Sequence, residues 1–136
     1  MTIFVLDSSA VIRYVDSEAG ADRLNTVLKA CVAGKVEACI SAVQWGEVAG
    51  NLRKRLGASQ QRRILSSLLP SELEIVPVSA ERAVRAAELK VDRKISYADA
   101  FALELATSFA DHVLVTADYG FKDVEDLARI EFLPLK

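Results

Sequence analysis

Two aspartates lie just beyond short apolar runs that have the composition of buried strands. Asp7 follows the run over residues 2–6, and Asp118 comes shortly after the run over residues 113–115. Ligands of open α/β sheets bind beyond the carboxyl ends of the strands, so both carboxylates are candidates for a site there. Each also has a local interpretation, Asp7 as a helix N-cap and Asp118 as the start of a turn. For either aspartate considered alone, the local interpretation is favoured.

Two further acids, Asp99 and Glu47, lie on different faces of two predicted helices. Asp99 falls within the apolar arc of its helix, where an acid is costly unless it is paired or bound to a metal. The alternative is a capping box, in which Ser96 and Asp99 together satisfy the start of the helix. On the same helix, Glu104 and Ser108 lie on the opposite face.

Glu47 lies opposite the apolar face of its helix, which by itself predicts a solvated side chain. The face of Glu47 also carries small residues that would let a substrate or another backbone come close: Val43, Gly46 and Gly50. Position on the helix therefore leaves the role of this glutamate open.

Composition narrows the chemistry to carboxylates. The 136 residues fit one domain over 1–136, and 51% hydrophobic with 26% charged residues is the balance of a folded soluble protein. His112 is the only histidine, so Ser-His-Asp hydrolysis and His-rich zinc sites are poorly supported. Cys31 and Cys39 lack metal-binding spacing, and the sequence shows neither a secretory signal nor a membrane-length apolar run. We expect a cytoplasmic protein with reduced thiols.

Charge is distributed unevenly although the net charge is only −2. The segment from residue 51 to 71 contains no acid and five basic residues: Arg53, Lys54, Arg55, Arg62 and Arg63. This pattern is compatible with solvated helix surfaces and equally with a patch that binds phosphate groups.

The elements that must position these residues follow from apolar periodicity and capping signals. Strands are predicted over residues 2–6, 36–40, 73–76, 113–115 and 130–132. Helices are predicted over 8–15, 21–32, 41–56, 59–69, 79–91 and 96–110, with a capping box formed by Ser41 and Gln44 and stops at Gly57 and Pro70. The alternation predicts an α/β/α domain with a central parallel sheet of four to five short strands.

Four segments in this order resemble the motifs of PIN domains, and most closely those of the VapC ribonuclease toxins of toxin–antitoxin pairs. The segments are Phe4-Val5-Leu6-Asp7-Ser8-Ser9, Ile40-Ser41-Ala42-Val43-Gln44-Trp45-Gly46-Glu47, Ser96-Tyr97-Ala98-Asp99-Ala100 and Val113-Leu114-Val115-Thr116-Ala117-Asp118. Phe121 follows the last segment as in the family. Some relatives have an additional acid where this chain has Leu103, which leaves four acids here and implies a weaker hold on a second metal ion.

The resemblance implies a metal-dependent endoribonuclease that leaves 5′-phosphate and 3′-hydroxyl ends. The implied catalytic and metal-holding residues are Asp7, Glu47, Asp99 and Asp118. The resemblance implies that Ser8 and Thr116 are nearby hydroxyls that position carboxylates or bind the scissile phosphate. Candidate substrate contacts from the basic segment are Arg53, Lys54 and Arg55. Clustered carboxylates repel one another, so convergence would raise at least one carboxyl pKa, and oxygen ligands favour Mg²⁺ or Mn²⁺ over zinc.

The resemblance also implies partners. These are an RNA substrate, a VapB-type antitoxin whose basic side chain would pair with the carboxylates, and a second copy of the chain in a homodimer; no membrane is involved. The alternative is a catalytically idle PIN-like scaffold that binds RNA or a protein.

Overall fold

A computed structural model of the chain describes residues 1–68 and 72–136. The strands are β1 (Ile3–Leu6), β2 (Glu37–Ser41), β3 (Leu73–Val76), β4 (His112–Thr116) and β5 (Ile130–Phe132). The helices are α1 (Ser8–Val15), α2 (Ala21–Val32), α3 (Ala42–Leu68), α4 (Ala80–Arg93) and α5 (Tyr97–Thr107), and a 3-10 helix spans Tyr119–Val124. The predicted alternation of strands and helices is confirmed.

The sheet is parallel throughout, in the order β3-β2-β1-β4-β5. The chain builds outward from β1 through β2 to β3, and then returns to place β4 on the other side of β1. This reversal is the topological switch point of the sheet, beyond which ligands of such folds bind. Leu6 at the end of β1 is paired with Val115 of β4, so the residues that follow the two strands emerge side by side.

Two apolar layers cover the sheet. Phe4 and Leu6 face a layer with α1, α2 and α3, whereas Val5 faces a layer with α5 and the 3-10 helix. Because both faces are covered, β1 is apolar throughout and β4 is apolar from Val113 to Val115, which is the pattern expected of a buried parallel sheet.

The predicted helix stop at Gly57 is confirmed, whereas other local bounds need correction. Within α3 (Ala42–Leu68), φ of +85° at Gly57 interrupts the helical backbone between two helices. The predicted end of the following helix at residue 69 and the stop at Pro70 lie outside the described residues. Helix α5 ends at Thr107 rather than at residue 110.

The predicted capping box of Ser41 and Gln44 does not form. Ser41 is the last residue of β2, and its hydroxyl accepts the Val43 N–H at 3.3 Å. The Gln44 side chain instead bonds to two other segments of the chain. Ser41 still accepts an N–H from the first turn, as an N-cap does, but the reciprocal bond from Gln44 is replaced by tertiary partners that the local sequence does not reveal.

Glu104 lies on the face of α5 opposite the one predicted to be apolar, yet it is only 3% exposed. Helix α4 covers that face, and its Arg82 and Arg85 place guanidinium nitrogens 2.8 and 3.2 Å from the Glu104 carboxylate. Helix α5 is therefore buried on both sides. Within the described ranges, no helix is both long and apolar enough to cross a membrane.

Candidate active site

The four acids singled out in the sequence come together at the carboxyl edge of the sheet. Asp7 directly follows β1, Asp118 lies two residues beyond β4, Asp99 is in the first turn of α5, and Glu47 is near the start of α3. The charge of Asp99 raises the pKa of Asp7, and the charges of Asp118 and Glu47 raise the pKa of Asp99. Asp99 is thus electrostatically coupled to each of the other three, as convergence predicts.

Asp7 is the most buried of these acids, with 2% of its surface exposed. Its Oδ1 accepts hydrogen bonds from Ser9 Oγ at 2.7 Å and from the Ala10 N–H at 3.0 Å, and its Oδ2 accepts one from Thr116 Oγ1 at 2.6 Å. Burial raises the pKa of Asp7 from 3.8 to about 6 even though all three hydrogen bonds favour the charged form. Asp7 therefore caps α1, as its local interpretation predicted, and is also an unusually basic carboxylate.

Two hydroxyl groups hold Asp7 and Asp118 in one network. Thr116 Oγ1 donates to Asp7 and accepts the Asp118 N–H at 2.9 Å. Ser9 Oγ donates to Asp7 and accepts the Ala117 N–H at 2.9 Å. Thr116 has no exposed surface, so of its two predicted roles the structure favours positioning of carboxylates over contact with a substrate.

Asp99 and Asp118 are also held by local caps. The Asp99 N–H donates to Ser96 Oγ at 3.1 Å, and Asp118 Oδ1 accepts the Gly120 N–H at 2.8 Å at the start of the 3-10 helix. Burial, followed by the charge of Asp118, raises the pKa of Asp99 above its usual value. The capping and the clustered interpretations are therefore compatible, because the caps fix these chain segments where the carboxylates meet.

Glu47 is exposed, as its helical position predicted, but it is linked to the other acids through Ser8. Ser8 Oγ donates to Glu47 Oε1 at 3.1 Å. A Cβ atom at Gly46 or Gly50 would meet no atom within 4 Å, so the surface beside Glu47 is open. A ligand can reach the cluster from this side.

The predicted basic contacts lie further along the exposed surface of α3. Arg55 is engaged by Asp16 at 3.2 Å and by Asn51, and Arg53 donates to Gln61. Lys54 lies two helical turns beyond Glu47, on the same face and about 10 Å along the axis. Of the three predicted phosphate contacts, Lys54 is therefore the one that could bind a phosphate of a nucleic acid lying along the Glu47 face of α3.

The acid cluster fits a hard cation by the chemistry of its donors. Its ligating atoms are all oxygens, and its mutual repulsion is the kind that a divalent ion relieves. Among residues 1–68 and 72–136, no three His, Cys, Asp or Glu side chains are arranged to hold one ion directly. Mg²⁺ is ordinarily bound by one or two carboxylates and several waters, so the cluster fits an ion whose shell is largely water.

Two side chains that hydrogen-bond beside the acids, Ser9 and Gln44, were not predicted from the sequence as part of the site. Ser9 was overlooked beside Ser8, and only the fold shows which serine reaches Asp7. Gln44 precedes Val48 and Leu52 at helical spacing and shares their buried stripe on α3. A polar residue on that stripe was the available signal.

Comparison with known proteins places these features in context. The chain matches the PIN domain family over residues 4–127. No curated protein matches it. Similar solved structures include VapBC2 from Rickettsia felis bound to a promoter DNA fragment, with a TM-score of 0.74, 21% identity and coverage of 97% of this chain and 99% of that one.

Two further solved structures are similar to this chain over most of its length. VapC20 from Mycobacterium tuberculosis, described as a sarcin-ricin loop cleaving toxin, has a TM-score of 0.69, 20% identity and coverage of 89% of this chain and 94% of that one. FitAcB from Neisseria gonorrhoeae has a TM-score of 0.68, 19% identity and coverage of 94% and 96%. At these identities the structural likeness concerns the fold.

Proposed function

The chain belongs to the PIN domain family, and on that premise we propose that it is a VapC-type toxin that hydrolyses RNA with the help of Mg²⁺ or Mn²⁺. The observation that carries the proposal is the hydrogen-bonded network at the switch point of the sheet, in which Thr116 joins Asp7 to the Asp118 backbone and Ser8, next to Asp7, donates to Glu47. The charge of Asp99, which raises the pKa of Asp7, is consistent with the same clustering.

The roles of the residues follow from their surroundings. Asp7, Asp99 and Asp118 would hold the ion directly or through water. When bound, the ion lowers the pKa of a water molecule and neutralises charge on the phosphoryl oxygens. Glu47, which is exposed and accepts a hydrogen bond from Ser8, would orient the attacking water or add a ligand to the ion.

The open surface beside Glu47 offers a route for an RNA substrate, and the similar structures suggest a protein partner. An RNA backbone would approach over Gly46 and Gly50, with Lys54 neutralising a phosphate further along α3. Similar structures such as VapBC2 contain an antitoxin, and we propose such a partner here, with an Arg or Lys side chain directed at the carboxylates. The homodimer and the cytoplasmic location stay predictions.

The test is cleavage of structured RNA by the purified protein. We expect cleavage in Mg²⁺ or Mn²⁺, none in EDTA and none by Asp7→Asn, whereas Glu125→Gln, which alters an exposed acid outside the cluster, cleaves like the wild type. Cleavage by Asp7→Asn at the wild-type rate would refute the proposed site. RNA binding without cleavage by the wild type would favour the idle scaffold.

A second test addresses the toxin–antitoxin assignment. Expression of the chain alone should arrest growth of the host, and co-expression of an antitoxin encoded beside it should restore growth. Asp7→Asn at the same soluble level is the control and should be harmless. Equal growth in all three cases would contradict a toxin role.

A further inference from the structure

The side chain of Gln44 is a fully buried carboxamide between three elements that carry acids of the cluster. Its Oε1 accepts the Ser8 N–H at 2.7 Å, and its Nε2 donates to the Ala98 carbonyl at 2.6 Å. Ser8 begins α1, Ala98 is in the first turn of α5, and Gln44 itself belongs to α3. One side chain thus joins the starts of three helices.

Each of these attachments is adjacent to an acid. Ser8 follows Asp7, Ala98 precedes Asp99, and Glu47 lies three residues beyond Gln44 on the same helix. The two hydrogen bonds therefore fix how far the starts of α1 and α5 lie from α3. Three of the four acids depend on that spacing.

The chemistry at this position is specific to a carboxamide. The Ser8 N–H is one of the amides at a helix start that have no partner within their own helix, so it needs an acceptor from elsewhere. The Ala98 carbonyl needs a donor. Glutamine supplies an acceptor and a donor on one planar group, whereas an ionised glutamate supplies acceptors only and methionine has no comparable group.

We propose that Gln44 is a positioning residue of the active site, which sets the separation of Asp7, Asp99 and Glu47 without contacting substrate. The inference rests on the proposed function. Displacement of a catalytic group by about 1 Å costs about 100-fold in rate, so a single buried amide is sufficient to control activity.

The main test compares Gln44→Met, which keeps the shape and removes both hydrogen bonds, with Val27→Ala, which destabilises the core from α2. We expect Gln44→Met to lower kcat for RNA cleavage about 100-fold with little change in KM. We expect its affinity for Mn²⁺, measured by titration calorimetry, to fall about 10-fold or more. Val27→Ala should lower Tm and leave kcat and Mn²⁺ affinity unchanged.

A second pair of variants, at Ser8, tests the hydrogen bond from the Ser8 N–H to Gln44 by changing its donor. Proline is tolerated at the first position of a helix, and Asp7 already has the extended backbone that a following proline requires, with φ of −94° and ψ of 174°. Ser8→Pro therefore deletes the N–H that Gln44 accepts, and Ser8→Ala deletes only the hydroxyl. We expect Ser8→Pro to weaken Mn²⁺ affinity and kcat well beyond Ser8→Ala.

The outcomes separate this inference from the proposed function. Wild-type kcat and Mn²⁺ affinity in Gln44→Met, or equal values in Ser8→Pro and Ser8→Ala, would overturn the positioning role. If the wild type cleaves no RNA, the proposed function fails, and Mn²⁺ affinity still decides whether Gln44 organises the carboxylates. If Gln44→Met does not fold, the Ser8 pair decides.

Discussion

The buried carboxylate of Asp7 should make the stability of the metal-free protein depend on pH near neutrality. In the folded state Asp7 keeps its proton until about pH 6, whereas in the unfolded chain it releases the proton near its ordinary value of 3.8. Between these values the folded state binds more protons, so stability falls as pH rises. Below both values the Asp7 carboxyl is protonated in the folded and the unfolded state, so its titration does not lower the stability of the fold.

The size of the effect follows from the shift. A pKa raised from 3.8 to about 6 costs about 3 kcal/mol of stability above pH 6, at about 1.4 kcal/mol for each pKa unit. About 1.4 kcal/mol of this loss should fall between about pH 5 and about pH 7.5, above the range in which ordinary carboxylates titrate.

Asp7→Asn removes the charge and keeps a good helix cap. The variant loses the acceptor for the Thr116 hydroxyl, which is worth about 1 kcal/mol. We therefore expect Asp7→Asn in EDTA to be more stable than the wild type by about 1 to 2 kcal/mol at about pH 7.5, and to lack the pH dependence.

Urea denaturation in EDTA at several pH values measures both quantities. Glu125→Gln is the matched control, because it removes an exposed carboxylate and should keep the wild-type pH dependence. Saturating Mn²⁺ should stabilise the wild type and have no effect on Asp7→Asn. The reasoning is refuted if Asp7→Asn keeps the wild-type pH dependence or is less stable than the wild type at about pH 7.5.

Three further substitutions have defined outcomes. Thr116→Val removes the strongest hydrogen bond to ionised Asp7, so the pKa of Asp7 should exceed 6 and the loss of stability should move to higher pH, measured by the same denaturation series. Arg82→Ala leaves the buried Glu104 carboxylate with a single, more exposed arginine and should cost about 3 kcal/mol in urea unfolding. Gly20→Ala combines φ of +92° with a Cβ 2.9 Å from a leucine side chain and should lower stability by about 2 kcal/mol; an unchanged Tm would contradict this.

Most of the fold was predictable because its signals are local. Strands buried on both faces are short apolar runs, and β3 and β5 have the predicted bounds. Caps at Asp7, Ser79 and Ser96 mark the starts of α1, α4 and α5. The failures at Gln44 and Glu104 share a cause, since each polar group is buried by partners distant in sequence.

The four acids of the candidate site were predicted from the sequence by different signals. Strand ends made Asp7 and Asp118 candidates, because the edge of a parallel sheet is a general binding position, and the family resemblance then chose between this and their capping roles. Asp99 was identified by its place on an apolar arc. Glu47 was identified through family resemblance, since its helical face alone predicts a solvated side chain, and only the fold shows that Ser8 links it to the cluster.

The position of β1 between β2 and β4 also determines when the site is completed during protein synthesis. Asp7 and Thr116, joined by a hydrogen bond, are 109 residues apart in the chain. A ribosome-bound chain synthesised only through β3 contains the strand that pairs with β1 on one side and still lacks β4, Asp99 and Asp118. Since a chain leaves the ribosome from its N-terminus, the carboxylate cluster forms late, when β4 closes against β1. A growing chain thus carries Asp7 without the other carboxylates that the proposed site requires.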